Sequence, residues 1–391
     1  MRLEIRDWVQ DVWEYVRVSR ERKRLREPGQ GFDHAHDQDI ARQVIAALHP
    51  RRMRLRVKEV IQATPTTKTF RFERTDGPLP PFRAGQYVNV FVDVDGVLTS
   101  RPYSIASAPG SDDLELTVRD RPGGLVAPYL LNEIKVGDAL ETTGPSGSFY
   151  YEPLIDGDDL VFLAGGSGIT PFMSIIRDAI QRKRPLKMHL IYGSRTPEDV
   201  IYSDELAELA ASHADFKYAL VISEPPPGQV GLTGFLDAKL VREQVRDVKG
   251  KTFYICGPNV MYDFCLAALQ ELGVPRHKIR RELYGPPDDV TKEPGWPQDL
   301  RADQVFNVEI VGRAQRTIRT RAGEPLINSL ERYGIIVPAV CRSGECSACR
   351  TRLVSGQMFM PAHVGLRASD RQHNYIHACV SYPLSDLQIR I

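Results

Sequence analysis

Four of the six cysteines crowd the end of the 391-residue chain, as Cys341, Cys346, Cys349 and Cys379. Three thiols from one loop, spaced four residues and then two apart, with a fourth far downstream, suit the plant-type [2Fe-2S] arrangement. There a small loop-rich cage aims backbone amides at the sulfurs while four thiolates hold two irons. Structural zinc is the alternative, although zinc sites usually come as two short pairs rather than a triple and a single. Disulfides suit the pattern less well, because the amino terminus carries Arg2, Glu4, Arg6, Asp7 and Asp11 where a secretion signal needs an uncharged apolar stretch. A reducing, cytoplasmic setting is the expectation.

A second set of residues suits a nucleotide. The run 164–171, Ala-Gly-Gly-Ser-Gly-Ile-Thr-Pro, follows an apolar strand and opens a helix. Glycines let the backbone approach a pyrophosphate, and the helix start supplies amides and a positive dipole end. Pro171 stands where the dinucleotide fingerprint has a third glycine, but proline suits a first helical turn. Upstream come Arg101-Pro102-Tyr103-Ser104 at a strand end, Gly123-Gly124, and the run 144–149; downstream, Cys256-Gly257-Pro258-Asn259 follows another strand. Each has a purely structural reading: a turn for the glycines, a buried small hydrophobe for Cys256, a core aromatic for Tyr103.

These residues need scaffolds, and the hydrophobic pattern supplies three. From residue 54 to about 144 apolar and polar residues alternate in short runs between Gly, Pro and Asp turns, which spells a small antiparallel barrel. From residue 159 apolar strands alternate with helices, the mark of a parallel sheet with helices on both faces. The Gly- and Pro-rich stretch 285–297 reads as an extended linker. Beyond it a hairpin, a helix at 325–333 and a closing strand at 387–391 make a third, smaller α+β unit. Residues 1–50 carry two amphipathic helices around a basic stretch, Arg17, Arg20, Arg22, Lys23, Arg24 and Arg26. That stretch is either a solvated face or a docking arm for a partner or a membrane surface. His34 and His36, beside Asp33 and Asp37, read as a polar loop rather than a metal site.

In this order the motifs resemble the ferredoxin-NADP reductase superfamily, specifically flavin reductases with a C-terminal plant-type ferredoxin domain, which serve oxygenases, desaturases and hybrid-cluster proteins. The resemblance covers residues 51–391 and leaves the first 50 outside it. It implies an FAD-binding barrel at 51–153, an NAD(P)-binding domain at 154–284, a linker at 285–304 and a β-grasp [2Fe-2S] domain at 305–391, after a helical extension at 1–50. By the same resemblance Arg101, next to Pro102, neutralises the flavin pyrophosphate, Tyr103 covers the isoalloxazine face, and Ser104 hydrogen-bonds near flavin N5. Gly123 and Gly124 open a helix onto the pyrophosphate; Ala127 stands where the family often has Ser or Thr, leaving backbone amides alone. The loop from Gly144 touches the adenine half, which favours FAD over FMN. Gly166, Gly168 and Thr170 bind the dinucleotide, and Cys256, with Gly257 and Pro258 after it, lies beside the nicotinamide. Glu282 and Tyr284 border the flavin. Ser104, Cys256 and Glu282 are thus the expected catalytic residues.

The implied activity passes electrons from NAD(P)H through FAD and the cluster to a protein acceptor such as an oxygenase. A nicotinamide gives electrons only as a hydride pair, a cluster takes them singly, and a flavin does both. The alternatives are a reductase acting on oxygen or small quinones, and a redox-sensing flavoprotein regulator. NADH is the expected donor, with NADPH as the alternative, because Arg195 follows one strand and Glu224 the next; a carboxylate repels a ribose 2′-phosphate that a cation would bind.

Composition narrows the partners. With 51 Lys+Arg against 50 Asp+Glu, the net charge of +1 gives no whole-chain field for nucleic acid or an anionic membrane. No apolar run approaches the ~18 residues of a membrane span. Residues 305–391, however, hold eleven arginines, no lysine and six acids. Arg342 and Arg350, beside cluster ligands, are expected to rim the electron exit and meet an acidic patch on the acceptor; the alternative is that they pair within the domain or face the flavin domain.

Overall fold

The computed structural model describes residues 12–20, 43–48, 50–121, 123–312, 315–362 and 364–391. They fall into two units, Met1–Arg51 and Arg52–Ile391. In the first, the segments 12–20 and 43–48 are helical and leave apolar side chains such as Trp13 and Ile45 exposed. Most of the basic stretch, and His34 and His36, lie outside the described residues. No described helix is long and apolar enough to cross a membrane.

The alternating pattern at the start of the second unit forms β1 (Met53–Thr64), β2 (Thr67–Arg74), β3 (Tyr87–Val94), β4 (Val97–Ser104), β5 (Leu114–Arg119) and β6 (Ala139–Thr142). They make one antiparallel sheet in the order β4-β3-β6-β1-β2-β5. A bridge between Ile105 and Leu116 joins its two edges, so the sheet curls into a barrel. Leu55, Val57, Phe70, Phe72, Val88 and Val90 fill it, while Arg56 and Lys58, on the other face of β1, stay exposed. The β3–β4 turn is Asp95-Gly96, with φ of 53° and 80°, the backbone that a two-residue hairpin requires. This turn sets the register that puts Arg101 opposite Val90 and Tyr103 opposite Val88.

The apolar runs that follow become β7 (Asp159–Gly165), β8 (Lys187–Ser194), β9 (Phe216–Ile222), β10 (Leu232–Thr233), β11 (Thr252–Cys256) and β12 (Ile279–Glu282). All pair parallel, in the order β10-β9-β8-β7-β11-β12. Parallel strands covered on both faces need apolar residues on both. Accordingly Leu160 and Phe162 enter one core and Val161 and Leu163 the other. The strand order reverses between β7 and β11, and such a reversal opens a crevice at the carboxyl ends of the two strands.

The third sheet comprises β13 (Val305–Ile310), β14 (Arg316–Arg321), β15 (Arg350–Ser355), β17 (Tyr375–His377) and β19 (Leu387–Arg390), in the order β14-β13-β19-β15-β17; β16 (Met358–Phe359) pairs with β18 (Tyr382–Pro383). Helix Leu326–Arg332 seats Leu326, Ile327 and Leu330 in its core. The stretch read as an extended linker is not a free tether. Val290 and Trp296 bury with Ala322, Phe359 and Tyr382, and the Trp296 ring meets that of Phe359 edge-on at 5.3 Å. Apolar side chains between the turn formers make it a packed strap.

A buried clamp fixes the barrel to the parallel sheet. Arg177, on helix Thr170–Gln181, donates to Glu115 at 2.8 Å, to the Ala106 carbonyl at 2.9 Å and to Glu205 at 2.6 Å. Burial alone would raise the Glu115 carboxyl, but the charge of Arg177 and hydrogen bonds from Arg177, Arg71 and Tyr202 hold it below its ordinary range. A carboxyl depressed by folding stabilises fully above its unfolded pKa of ~4.3, and the contribution is lost as pH falls through the lower folded value. Because Arg177 keeps Glu205, Glu115→Gln should cost about 1.5–3 kcal/mol in denaturant unfolding at pH 7. The difference from wild type should shrink as pH falls below about 4.

Candidate functional site

At the carboxyl ends of β7 and β11 two loops meet with no room for side chains. A Cβ on Gly168 would lie 2.7 Å from the Gly257 Cα and closer still to the Cys256 carbonyl; one on Gly257 would lie 3.2 Å from the Gly165 Cα. Gly166 sits at φ 53°, with Arg119 of β5 alongside. The Thr170 hydroxyl donates to the Ser167 carbonyl at 3.0 Å, tying down the turn ahead of Pro171. Pro258 precedes helix Asn259–Glu271. Backbone therefore lines the mouth of the crevice.

Cys256 ends β11, in register with Ala164 on one side and Glu282 on the other. It is 0% exposed and Glu282 6%. Burial pushes the Cys256 thiol and the Glu282 carboxyl well up. Tyr262 donates its hydroxyl to the Glu282 carbonyl and accepts from the Gly257 amide at 3.2 Å. The Tyr284 hydroxyl shares a hydrogen bond with Ser104 of the barrel and lies beside the Cys256 thiol. Ser104, Cys256, Glu282 and Tyr284, far apart in sequence, form one group.

Along β4, Arg101 donates to the Thr99 hydroxyl at 2.7 Å and the Ser100 carbonyl at 2.8 Å. Burial first, then the charge of Arg342, push its pKa down to about 10. A desolvated guanidinium whose described hydrogen bonds go to a hydroxyl and a carbonyl suits a phosphate. Pro102 stands opposite Asn89, whose side-chain amide nitrogen and oxygen are both buried and have no partner among the described residues. Tyr103 is half-buried against the barrel core, and burial raises its hydroxyl. Gly123, at φ 74°, faces open space, and Gly124 donates to the Arg121 carbonyl at 2.8 Å; helix Val126–Asn132 then starts without a side-chain cap. The loop from Gly144 returns to β3 through the Tyr87–Ser146 bridge, where a Cβ on Gly147 would strike the Tyr87 ring.

The cysteine loop brings four thiols together as linked pairs. Cys349 and Cys379 lie 3.2 Å apart, and Cys341 neighbours Cys346 and Cys379. Arg342, Gly344 and Ser347 take φ of 55°, 83° and 58°, which turns the loop amides inward. The amides of Ser343 and Cys346 point at the Cys341 sulfur at 3.5 and 3.3 Å, and that of Ala348 at the Cys346 sulfur at 3.5 Å. Hydrogen bonds from the neighbouring thiols and amides hold Cys341 as thiolate. His377 fixes the loop through its Nδ1 to the Gly344 carbonyl at 2.7 Å. Four thiols under inward amides fit an anionic iron-sulfide unit. Among the described residues no His, Cys, Asp or Glu side chains group as three ligands of a single metal ion. The loop faces the group at β12: Glu345 and Cys341 act electrostatically on Glu282, and Cys341 does so on Tyr87 as well.

Two expected placements change. Arg342 is 4% exposed; it is paired with Glu331 and bonded to Thr99 at 3.1 Å, so it faces the flavin-side barrel and not an outer rim. Arg350 is half-exposed but bound to the buried Asp370 at 3.0 Å. Arg195 and Glu224 are neighbours, 4.0 Å apart, both exposed. Sequence reasoning missed the contacts of Thr99 and Glu331 with Arg342; Glu331 reads there as one more acid on a short helix.

Known proteins bear on this geometry. The family model of the oxidoreductase FAD-binding domain matches residues 53–151, that of the oxidoreductase NAD-binding domain residues 162–266, and that of the 2Fe-2S iron-sulfur cluster binding domain residues 309–384. The reductase subunit of glycine betaine monooxygenase from Pseudomonas aeruginosa is 27% identical, covering 86% of this chain and 94% of its own. The ferredoxin reductase component of 3-ketosteroid-9-alpha-monooxygenase from Mycobacterium tuberculosis is 30% identical, covering 85% and 94%. The solved structure of phthalate dioxygenase reductase, 24% identical, superposes with a TM-score of 0.65 over 87% of this chain and 98% of that one, a likeness of fold.

The glycine contact gives a direct test. Gly168→Ala forces β7 and β11 apart at their ends, so reduction by the pyridine nucleotide should fall at least ~10-fold while bound flavin, counted by absorbance, is unchanged.

Proposed function

We propose that this chain, which belongs to the ferredoxin-NADP reductase superfamily as a flavin reductase with a C-terminal [2Fe-2S] ferredoxin domain, carries electrons from NADH to an oxygenase component. It is an NAD(P)H-dependent oxidoreductase that holds FAD and a [2Fe-2S] cluster and passes electrons to a protein acceptor. The flavin supplies the change from a hydride pair to single electrons, which the cluster takes one at a time.

The chain's own residues then divide the work. Arg101, with the amides that follow Gly123 and Gly124, holds the flavin diphosphate; Tyr103 covers the ring and Ser104, oriented by Tyr284, hydrogen-bonds its reactive edge. The Gly144 loop takes the adenine half. The open backbone at Gly166 and Gly168 and the start of the Thr170 helix receive the dinucleotide pyrophosphate. Cys256, neutral and dry, borders the nicotinamide with Gly257 and Pro258 shaping the wall, so water is kept from the hydride path. Glu282, its carboxyl pushed up by burial, lines the same wall. Cys341, Cys346, Cys349 and Cys379 hold the cluster.

The observation that carries this reading is that Ser104, Cys256, Glu282 and Tyr284 meet at one spot with the cysteine loop turned towards them. For the donor, Arg195 lies between Asp199 at 3.5 Å and Glu224 at 4.0 Å, two carboxylates that offset a cation placed for a 2′-phosphate, which supports NADH. The acceptor reading rests on relatives whose names tie them to oxygenases. An acidic surface on it would meet exposed arginines such as Arg350, not Arg342; the docking-arm reading of residues 1–50 rests on their sequence.

Purified protein should carry about two irons, two acid-labile sulfides and one FAD per chain; zinc without sulfide would overturn the cluster assignment. Its kcat/KM should be higher for NADH, and Glu224→Ser should improve NADPH use about 10-fold, about 1.4 kcal/mol. A wild-type preference for NADPH would refute the reading of Glu224.

A further inference from the structure

The ferredoxin domain reaches the flavin barrel through a buried polar knot that the hydride step does not use. Thr99 of β4 sits at its centre. Its hydroxyl donates to the Glu331 carboxylate at 2.9 Å and accepts from Arg101 at 2.7 Å and Arg342 at 3.1 Å. A threonine hydroxyl has one proton and two lone pairs, so its capacity is filled. Glu331, on helix Leu326–Arg332, pairs with Arg342 through its other oxygen. Arg342 is 4% and Glu331 7% exposed. Arg342 directly follows the ligand Cys341 and holds φ 55°, part of the turn that points the loop amides inward. The knot therefore ties the cluster loop, through one hydroxyl, to the arginine read as the flavin diphosphate ligand.

We propose that Glu331 and Arg342 are positioning residues for the flavin-to-cluster step, a buried latch that holds the cysteine loop against the flavin site. A buried pair is costly to break from one side, because it strands the other charge. It is also directional, so it fixes a register that apolar contact leaves loose. Two guanidiniums meet one carboxylate here, an excess of positive charge that a flavin diphosphate on Arg101 would balance. The step moves one electron from the reduced flavin to the oxidised cluster; no bond to either latch residue forms or breaks. The proposal rests on the reading of β4 as the flavin site and of the four cysteines as cluster ligands.

The test uses the full chain with both groups loaded. In Glu331→Gln, cluster reduction after anaerobic mixing with NADH should slow at least ~10-fold, while NADH-driven ferricyanide reduction and the electron paramagnetic resonance spectrum of the reduced cluster stay as in wild type. Amide hydrogen exchange should rise in Val97–Ser104 and Leu326–Arg332 and not in the parallel sheet. Thr99→Val, close in shape, guards against misfolding of the first variant. With the double variant it completes a cycle in which latch partners give a non-additive effect on cluster reduction. Unchanged cluster reduction and exchange in Glu331→Gln, or additive effects in the cycle, would overturn the latch. Failure of the underlying reading shows differently, as a wild-type preparation without FAD or without labile sulfide.

Discussion

A hydride passes only between rings in contact, with reacting atoms about 3–3.5 Å apart, and this constraint governs the body formed by Arg52–Ile391. Two sheets must present their ligands to each other with little play. The contact that joins them at the site is the hydrogen bond between Ser104, at the end of β4, and Tyr284, just beyond β12. Behind it, the Arg177 clamp to Glu115 and Ala106 carries the load. The Cβ-free approach of the Gly168 and Gly257 loops leaves the crevice lined by backbone. A loss at any of these places changes the spacing of the rings without removing a group that touches them.

Burial then sets the chemistry of that spot. Cys256 and Glu282 end adjacent parallel strands, and desolvation raises the pKa of each. A dry wall favours hydride transfer over proton leakage. The opposite logic holds at the cysteine loop, where inward amides and neighbouring thiols favour the charged form of Cys341.

Much of this was legible in the residues because the signals are local. The triple Cys341, Cys346, Cys349 is a loop motif; period-two alternation marks β1, β2, β3 and β5; the turn 164–171 announces itself by its glycines after an apolar strand. What was not legible depends on partners distant in sequence. Thr99 and Arg342 are 243 residues apart, and no periodicity links them. Counting arginines treats each as a surface charge, which is why Arg342 reads as an outer rim until Glu331 is seen beneath it. The stretch 285–304 misled for a related reason: its Gly and Pro content is linker-like, yet Val290 and Trp296 find a pocket in the next domain. Arg195 and Glu224, taken singly, point to opposite nucleotides; the parallel register of β8 and β9 sets them side by side, where one charge offsets the other.

The central claim is an ordered path in which the flavin site stands between the pyridine nucleotide and the cysteine loop. Its most direct measurement compares the loaded protein with the same protein stripped of flavin but retaining its iron and sulfide, each mixed with NADH under argon while the cluster absorbance is followed. The account expects flavin bleaching to precede cluster bleaching in the loaded protein, and no cluster bleaching in the stripped one until FAD is restored. Cluster reduction at an undiminished rate without flavin would contradict it.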